Sequence, residues 1–105
     1  MQNYKVKILP VAQDDLIDTS NYIANVLCNP SAAVNLLDKI GAAFQQLQTF
    51  PFSGTKLNDE IVRETEYRFL QVENYLIFYT VKQEIETVFI MRVLYGASDY
   101  SSILK

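Results

Sequence analysis

Past a short N-terminal segment, the hydrophobic period of this chain changes across Phe50-Pro51-Phe52-Ser53-Gly54, and no other feature constrains its fold as tightly. Upstream, apolar residues recur at three- and four-residue steps, the signature of one helical face. Downstream they alternate or run together and are rich in aromatic and β-branched types, as strands are. One stretch cannot satisfy both periods, so from Val11 onward helix and sheet are segregated along the chain.

Upstream of the break, Tyr4, Val6 and Ile8 alternate with Lys5 and Lys7, which predicts a half-buried strand ended by Pro10. From Val11 to about Leu27, the set Ala12, Leu16, Ser20, Ile23 and Leu27 predicts a first helix. Asn29-Pro30 suits an N-cap followed by proline at the first helical position. A second helix then carries Ala33, Leu37, Ile40, Phe44 and Leu47 on one stripe. The short link between them makes an antiparallel helical hairpin.

Downstream, Thr55 to Glu66 is polar, with Ile61 and Val62 as a possible strand entry. Tyr67–Val72 and Tyr75–Val81 flank Glu73-Asn74, which fits a two-residue hairpin turn. A looser turn leads into Thr87–Leu94, Tyr95-Gly96 ends that strand, and Ser98–Leu104 is suited to a short terminal helix. The Tyr75 and Thr87 segments are apolar on both faces and are expected at the centre of the sheet. Short turns force sequential strands to run antiparallel, since parallel neighbours need a crossover of roughly a dozen residues. The expected fold is α+β, in β-α-α-β-β-β order. A small antiparallel sheet packs against the N-terminal helical hairpin, in one domain over residues 1–105.

Composition narrows the chemistry. The chain has no histidine, which removes Ser–His and Cys–His nucleophile pairs and the usual general base near pH 7. Nine Lys and Arg against 12 Asp and Glu give a net charge of −3, so the overall field does not attract nucleic acid. The single cysteine, Cys28, makes neither an intramolecular disulfide nor a zinc site alone. Apolar runs such as Tyr75–Tyr79 are far below the roughly 20 residues that cross a bilayer. The N-terminal charges have no apolar signal core behind them. These features predict a cytoplasmic protein with no membrane role, no metal and no cofactor.

Candidate site residues are few. All three arginines, Arg63, Arg68 and Arg92, lie in the strand-rich half, where guanidinium groups can clamp phosphate or carboxylate. Their alternative role is pairing with acids such as Glu64, Glu66 or Glu73. For Arg68 and Arg92, set in apolar strands, a partner of some kind is required. Asp14, Asp15 and Asp18 share a helical face early in the first helix, and a solvated face favoured by the helix dipole is the expected reading. Among seven tyrosines, Tyr67, Tyr75 and Tyr79 suit packing. Tyr95 and Tyr100 flank the polar turn Gly96–Asp99 at the end of a central strand and are the better functional candidates.

The order of motifs resembles the RelE/ParE superfamily of toxins. The resemblance is carried by Tyr67–Leu70, Asn74–Val81 and Ile90–Tyr100, with Ala12, Leu16, Tyr22 and Ile23 in the first helix and Leu47, Phe50, Pro51 and Gly54 at the turn. It covers nearly the whole chain. It implies the toxin of a bacterial type II toxin–antitoxin module, associated with plasmid stabilisation and growth inhibition and neutralised by a cognate antitoxin. In the ParE-like branch the target is DNA gyrase. In the RelE-like branch the toxin is an mRNA endonuclease acting on the ribosome. That second branch carries an arginine where this chain has Leu76, and basic or histidine residues where it reads Gly96-Ala97-Ser98. ParE-like members often have histidine at the position of Tyr95 and a basic residue at that of Ser98. The resemblance favours the ParE-like branch and a non-enzymatic mode. It implies antitoxin or target contacts at Arg63, Arg68, Arg92, Tyr95, Asp99 and Tyr100. A nuclease would instead require catalysis by Arg68, Arg92, Tyr95 and Tyr100. A scaffold that only binds antitoxin is the third possibility.

Overall fold

Pro10 ends one element and begins the next. In the computed structural model, which describes residues 3–57 and 66–96, strand β1 (Lys5–Ile8) passes into helix α1 (Pro10–Asn21) with only Leu9 between them. Proline at the first helical position gives up an N–H that would have no intrahelical partner there. The Gln13 side chain secures the junction by donating to the Ile8 carbonyl at 3.0 Å.

Helix α1 does not continue regularly to Leu27. Residues Tyr22–Val26 form a π turn in which the Leu27 N–H reaches back five residues to the Tyr22 carbonyl. The extra residue per turn keeps Ile23 in the core but rotates Leu27 outward, leaving it 56% exposed. Cys28 then takes a left-handed conformation with φ of 53°. Asn29 caps helix α2 (Pro30–Thr49) as expected, its side-chain oxygen accepting from the Ala32 N–H at 3.1 Å. Such a cap stabilises a helix by about 1 kcal/mol.

The buried stripe of α2 is Ala33, Leu36, Ile40, Ala43 and Leu47. It shares Ala33, Ile40 and Leu47 with the expected stripe, whereas Leu37 is exposed and Phe44 only half-buried. Both sets satisfy a 3.6-residue period. Small Ala43 faces the core, and bulky Phe44 packs along its flank.

Beyond the Phe50–Gly54 turn come β2 (Thr55–Lys56), β3 (Arg68–Val72), β4 (Tyr75–Lys82) and β5 (Thr87–Tyr95). The sheet order is β1-β5-β4-β3-β2. The last three strands run antiparallel as their short turns require, with Glu73 at φ of 54° in the tight turn. The sheet as a whole is mixed rather than antiparallel, because β1 lies parallel to β5. The chain between the first and last strands is long enough for that parallel pairing. The strand entry at Ile61 and Val62 and the terminal helix from Ser98 to Leu104 lie outside the described residues.

Strands β4 and β5 are central and buried on both faces. Ile77, Tyr79, Val88, Ile90 and Val93 pack with Ala12, Leu36, Ile40 and Leu47 of the helices. Phe78, Leu94 and Tyr67 form a second cluster on the opposite face. A β-bulge sets this arrangement: Phe78 pairs with Arg92 but Tyr79 with Ile90, leaving Met91 as the extra residue. In an unbroken strand, Arg92 would follow Val88 and Ile90 into the helix-covered core. The bulge puts Val93 there instead.

Candidate functional site

Two tyrosine-bearing places on the sheet are candidates, at opposite sides of β4. The first is the corner where the Phe50–Gly54 turn meets β3. Gly54 is buried, and a Cβ there would lie 2.5 Å from the Tyr79 hydroxyl oxygen and 2.7 Å from the Phe69 carbonyl oxygen. Only glycine lets the backbone approach this closely. The Gly54 N–H donates to the Tyr79 hydroxyl at 2.9 Å inside the protein. Burial pushes the Tyr79 phenol above its ordinary range, against the pull of that N–H and of the Arg68 charge. Arg68 donates from Nη1 to the Gly54 carbonyl at 3.1 Å, lies 5.1 Å from the Phe52 ring centroid and reaches Glu66 at 3.5 Å. Its guanidinium is thus a clasp on the turn.

The second place is where β1 leaves the sheet. The pairing of β1 with β5 stops at Ile8 and Ile90, and helix α1 takes over beside the rest of β5. There Asp15 stands in for the missing strand. Its carboxylate accepts from Arg92 Nε at 2.7 Å, Arg92 Nη2 at 2.8 Å and the Val93 backbone N–H at 3.0 Å. The Asp15 side chain is only 12% exposed, so it is no part of a solvated face. Nor does it lie in the first turn of α1, which carries no acidic residue. The carboxylate fork, more than the opposing cost of burial, raises the Arg92 pKa above its ordinary value.

Past this ion pair, the helical hairpin and the ends of β4 and β5 enclose an open groove of about 840 Å³. Asp15, Asp18 and Tyr22 reach it from α1 and the π turn at steps of three and four residues. Ile23, Leu27 and Leu36 supply an apolar wall, and Glu73, Tyr75 and Tyr95 close the sheet side. The Tyr75 and Tyr95 rings meet edge to face, 5.6 Å between centroids. Burial raises the Tyr75 pKa, and Tyr95, Tyr22 and Glu73 add to the effect, so the four groups share one electrostatic environment. Lys39 pairs with Glu73 at 2.7 Å from outside the groove lining, but both side chains are largely exposed and the pair contributes little.

The sequence candidates are therefore dispersed. Arg68 belongs to the Gly54 corner and Arg92 to the α1 side, with β4 between them. Tyr95 sits in the groove, 52% exposed. Arg63, Asp99 and Tyr100 lie outside the described residues. Asp15, Asp18, Tyr22, Glu73 and Tyr75 enter the site without having been singled out for it. The helical spacing of Asp15, Asp18 and Tyr22 was the available signal, obscured by reading the aspartates only as a dipole-favoured surface. Among the described residues, no three of His, Cys, Asp and Glu gather in a way that could hold a metal ion.

Comparison with known proteins gives one family and several structures. The sequence model for the ParE toxin of type II toxin–antitoxin systems, parDE, matches residues 6–100. The chromosomal ParDE toxin–antitoxin system of P. aeruginosa contains a chain of the same fold. It has a TM-score of 0.69 and 21% identity, covering 88% of this chain and 95% of that one. A chain of the RelBE2 toxin–antitoxin complex from Mycobacterium tuberculosis aligns with a TM-score of 0.63 and 22% identity, covering 89% and 98%. A mutant of the E. coli toxin RelE in the free state aligns at 0.61 with 13% identity, covering 97% and 93%. No curated protein sequence matches the chain.

Proposed function

The chain belongs to the ParE toxin family of type II toxin–antitoxin systems, and from that premise we propose a toxin that arrests growth by binding DNA gyrase. A cognate antitoxin neutralises it. The observation that carries the choice of binding over mRNA cleavage is the state of the arginines. A nuclease built on Arg68 and Arg92 needs both guanidinium groups free to hold a phosphate and its developing charge. Here Arg92 is forked onto Asp15, and Arg68 is bonded to the Gly54 carbonyl and stacked on Phe52. Freeing Arg92 would strand a largely buried carboxylate, at a cost on the order of 3 kcal/mol.

The sequence supports the same reading. It has no histidine to exchange protons near neutral pH and a net charge of −3, which repels RNA at long range. An antitoxin partner is supported by the toxin–antitoxin systems from which the structurally similar chains come. The groove beside β5 is the surface best suited to take a partner segment, since it combines exposed aromatic and apolar side chains.

The test is induced expression in a bacterial host without antitoxin. The expected outcome is growth arrest with induction of the SOS response and trapped, cleaved DNA. Primer extension on early transcripts should show no discrete new ends. Early, sequence-specific mRNA cuts would replace the gyrase reading with the nuclease one. Unchanged growth would remove the toxin activity and leave a scaffold that binds antitoxin.

A further inference from the structure

We infer that the groove beside β5 is a receptor for a cationic side chain, arginine or lysine, presented by an extended segment of a protein partner that adds alongside the end of β5. Three observations converge on this chemistry.

The first is charge. Among the described residues, Asp15, Asp18 and Glu73 line the groove and no Lys or Arg does. Arg92 and Lys39 answer Asp15 and Glu73 from outside the lining, which leaves Asp18 with no ion-pair partner among the described residues. The second is the aromatic set. Tyr22 and Tyr95 are each about half exposed, and the edge-to-face contact of Tyr75 with Tyr95 leaves ring faces available to a ligand. Electron-rich ring faces beside carboxylates attract organic cations and disfavour anions.

The third observation selects a polypeptide over a small cation. Gly96 donates its N–H to the Asn74 carbonyl toward β4. By strand alternation, the Tyr95 N–H and the Val93 carbonyl point to the opposite edge, where the Val93 N–H already meets Asp15. Neither has a hydrogen-bond partner among the described residues. Lower down the same edge, β1 residues straddle β5 in parallel register, with Lys5 opposite Thr87. A partner residue straddling Leu94 can accept from the Tyr95 N–H and donate to the Val93 carbonyl in the same way. Its neighbours then reach Asp18 and the tyrosines, and the Ile23 and Leu27 wall accommodates an apolar side chain.

This deepens the proposed antitoxin partnership and rests on it only for the partner's identity; the chemistry of the groove stands apart from the toxin's target. The test is an NMR titration of the full chain with three probes: acetylated Thr-Val-Arg-Val-Thr amide, its glutamate-centred counterpart, and spermidine. The arginine peptide should shift the Asp18 and Val93–Tyr95 amides saturably. It should bind at least about tenfold more tightly than the glutamate peptide, the scale of one charge reversal beside an aromatic pair. Asp18→Lys should remove that preference, and Tyr95→Ala should weaken the arginine peptide several-fold, in variants whose remaining amide spectrum is unchanged.

Equal affinity for the two peptides, or no saturable shift at millimolar concentration, overturns the inference. Spermidine binding as tightly as the peptide, with the Tyr95 amide unmoved, overturns the polypeptide part. Growth arrest in the expression assay is read separately. Arrest without peptide binding rejects the receptor alone, and peptide binding without arrest rejects the toxin activity alone.

Discussion

The Gly54 corner and the β5 groove are built from the same materials and end in opposite conditions. Each has tyrosine beside exposed or buried backbone polar groups, and each has an arginine close by. At the corner every strong group has a partner inside the molecule: the Tyr79 hydroxyl takes the Gly54 N–H, and Arg68 takes the Gly54 carbonyl. At the groove the satisfaction stops halfway. Asp15 consumes Arg92 and the Val93 N–H, but Asp18, two half-exposed tyrosines and one step of strand edge remain available. Residue type therefore does not identify a site. What does is whether the protein has already answered its own polar groups.

Substitutions can break this contrast, beginning with the junction that borders the groove. Asp15→Ala leaves Arg92 half-buried without its fork and the Val93 N–H without an acceptor. The expected loss is about 3–5 kcal/mol, read as a lower urea midpoint with an unchanged slope. Gly54→Ala comes next. Its methyl group meets the Tyr79 hydroxyl and the Phe69 carbonyl, and overpacking of this kind costs about 1–3 kcal/mol. Tyr79→Phe removes the acceptor while keeping the shape, stranding a buried N–H for about 1–2 kcal/mol. A chain carrying both corner changes should lose less than the sum, because both act on one contact.

Tyr95→Ala sharpens the comparison from the other side. It removes one half-exposed ring and one edge-to-face contact, so the loss should be about 1 kcal/mol or less. A loss as large as that of the corner substitutions would mean that Tyr95 belongs to the fold rather than to a binding surface. Alkali gives a gentler probe. The raised pKa values of Tyr67, Tyr75 and Tyr79 mean that the native state holds these phenolic protons more tightly than the unfolded chain. Their effect is nil well below the unfolded value near pH 10 and destabilising as pH rises through the folded values. Denaturant midpoints should be flat up to about pH 9 and then fall, and Tyr79→Phe should reduce the fall.

Local chemistry made most of the architecture readable. Pro30 at the start of the second helix, Asn29 as its cap, Glu73-Asn74 as a tight turn and two strands apolar on both faces depend on neighbours in sequence. The parallel placement of β1 did not follow from those signals, since it joins the two ends of the fold. The candidate site was harder to read for a related reason. It depends on two single-residue irregularities, the π turn over Tyr22–Val26 and the bulge at Met91. Either one invalidates a regular period from that point on: Leu27 leaves the core stripe and Val93 enters the core in place of Arg92. The Asp15–Arg92 pair also joins residues 77 positions apart, beyond the reach of any spacing argument.

The Asp15 carboxylate has a further consequence, for solubility. An uncovered strand edge is a template on which other chains, including copies of the same protein, can stack. By occupying the Val93 N–H with a charged, inward-facing group, Asp15 leaves no run of consecutive donors for indiscriminate pairing. Along the described part of this edge, one carbonyl and one N–H remain, enough to register a single fitted segment and too few to nucleate a growing sheet. The carboxylate that holds the fold together at this junction thus also acts as a guard against aggregation.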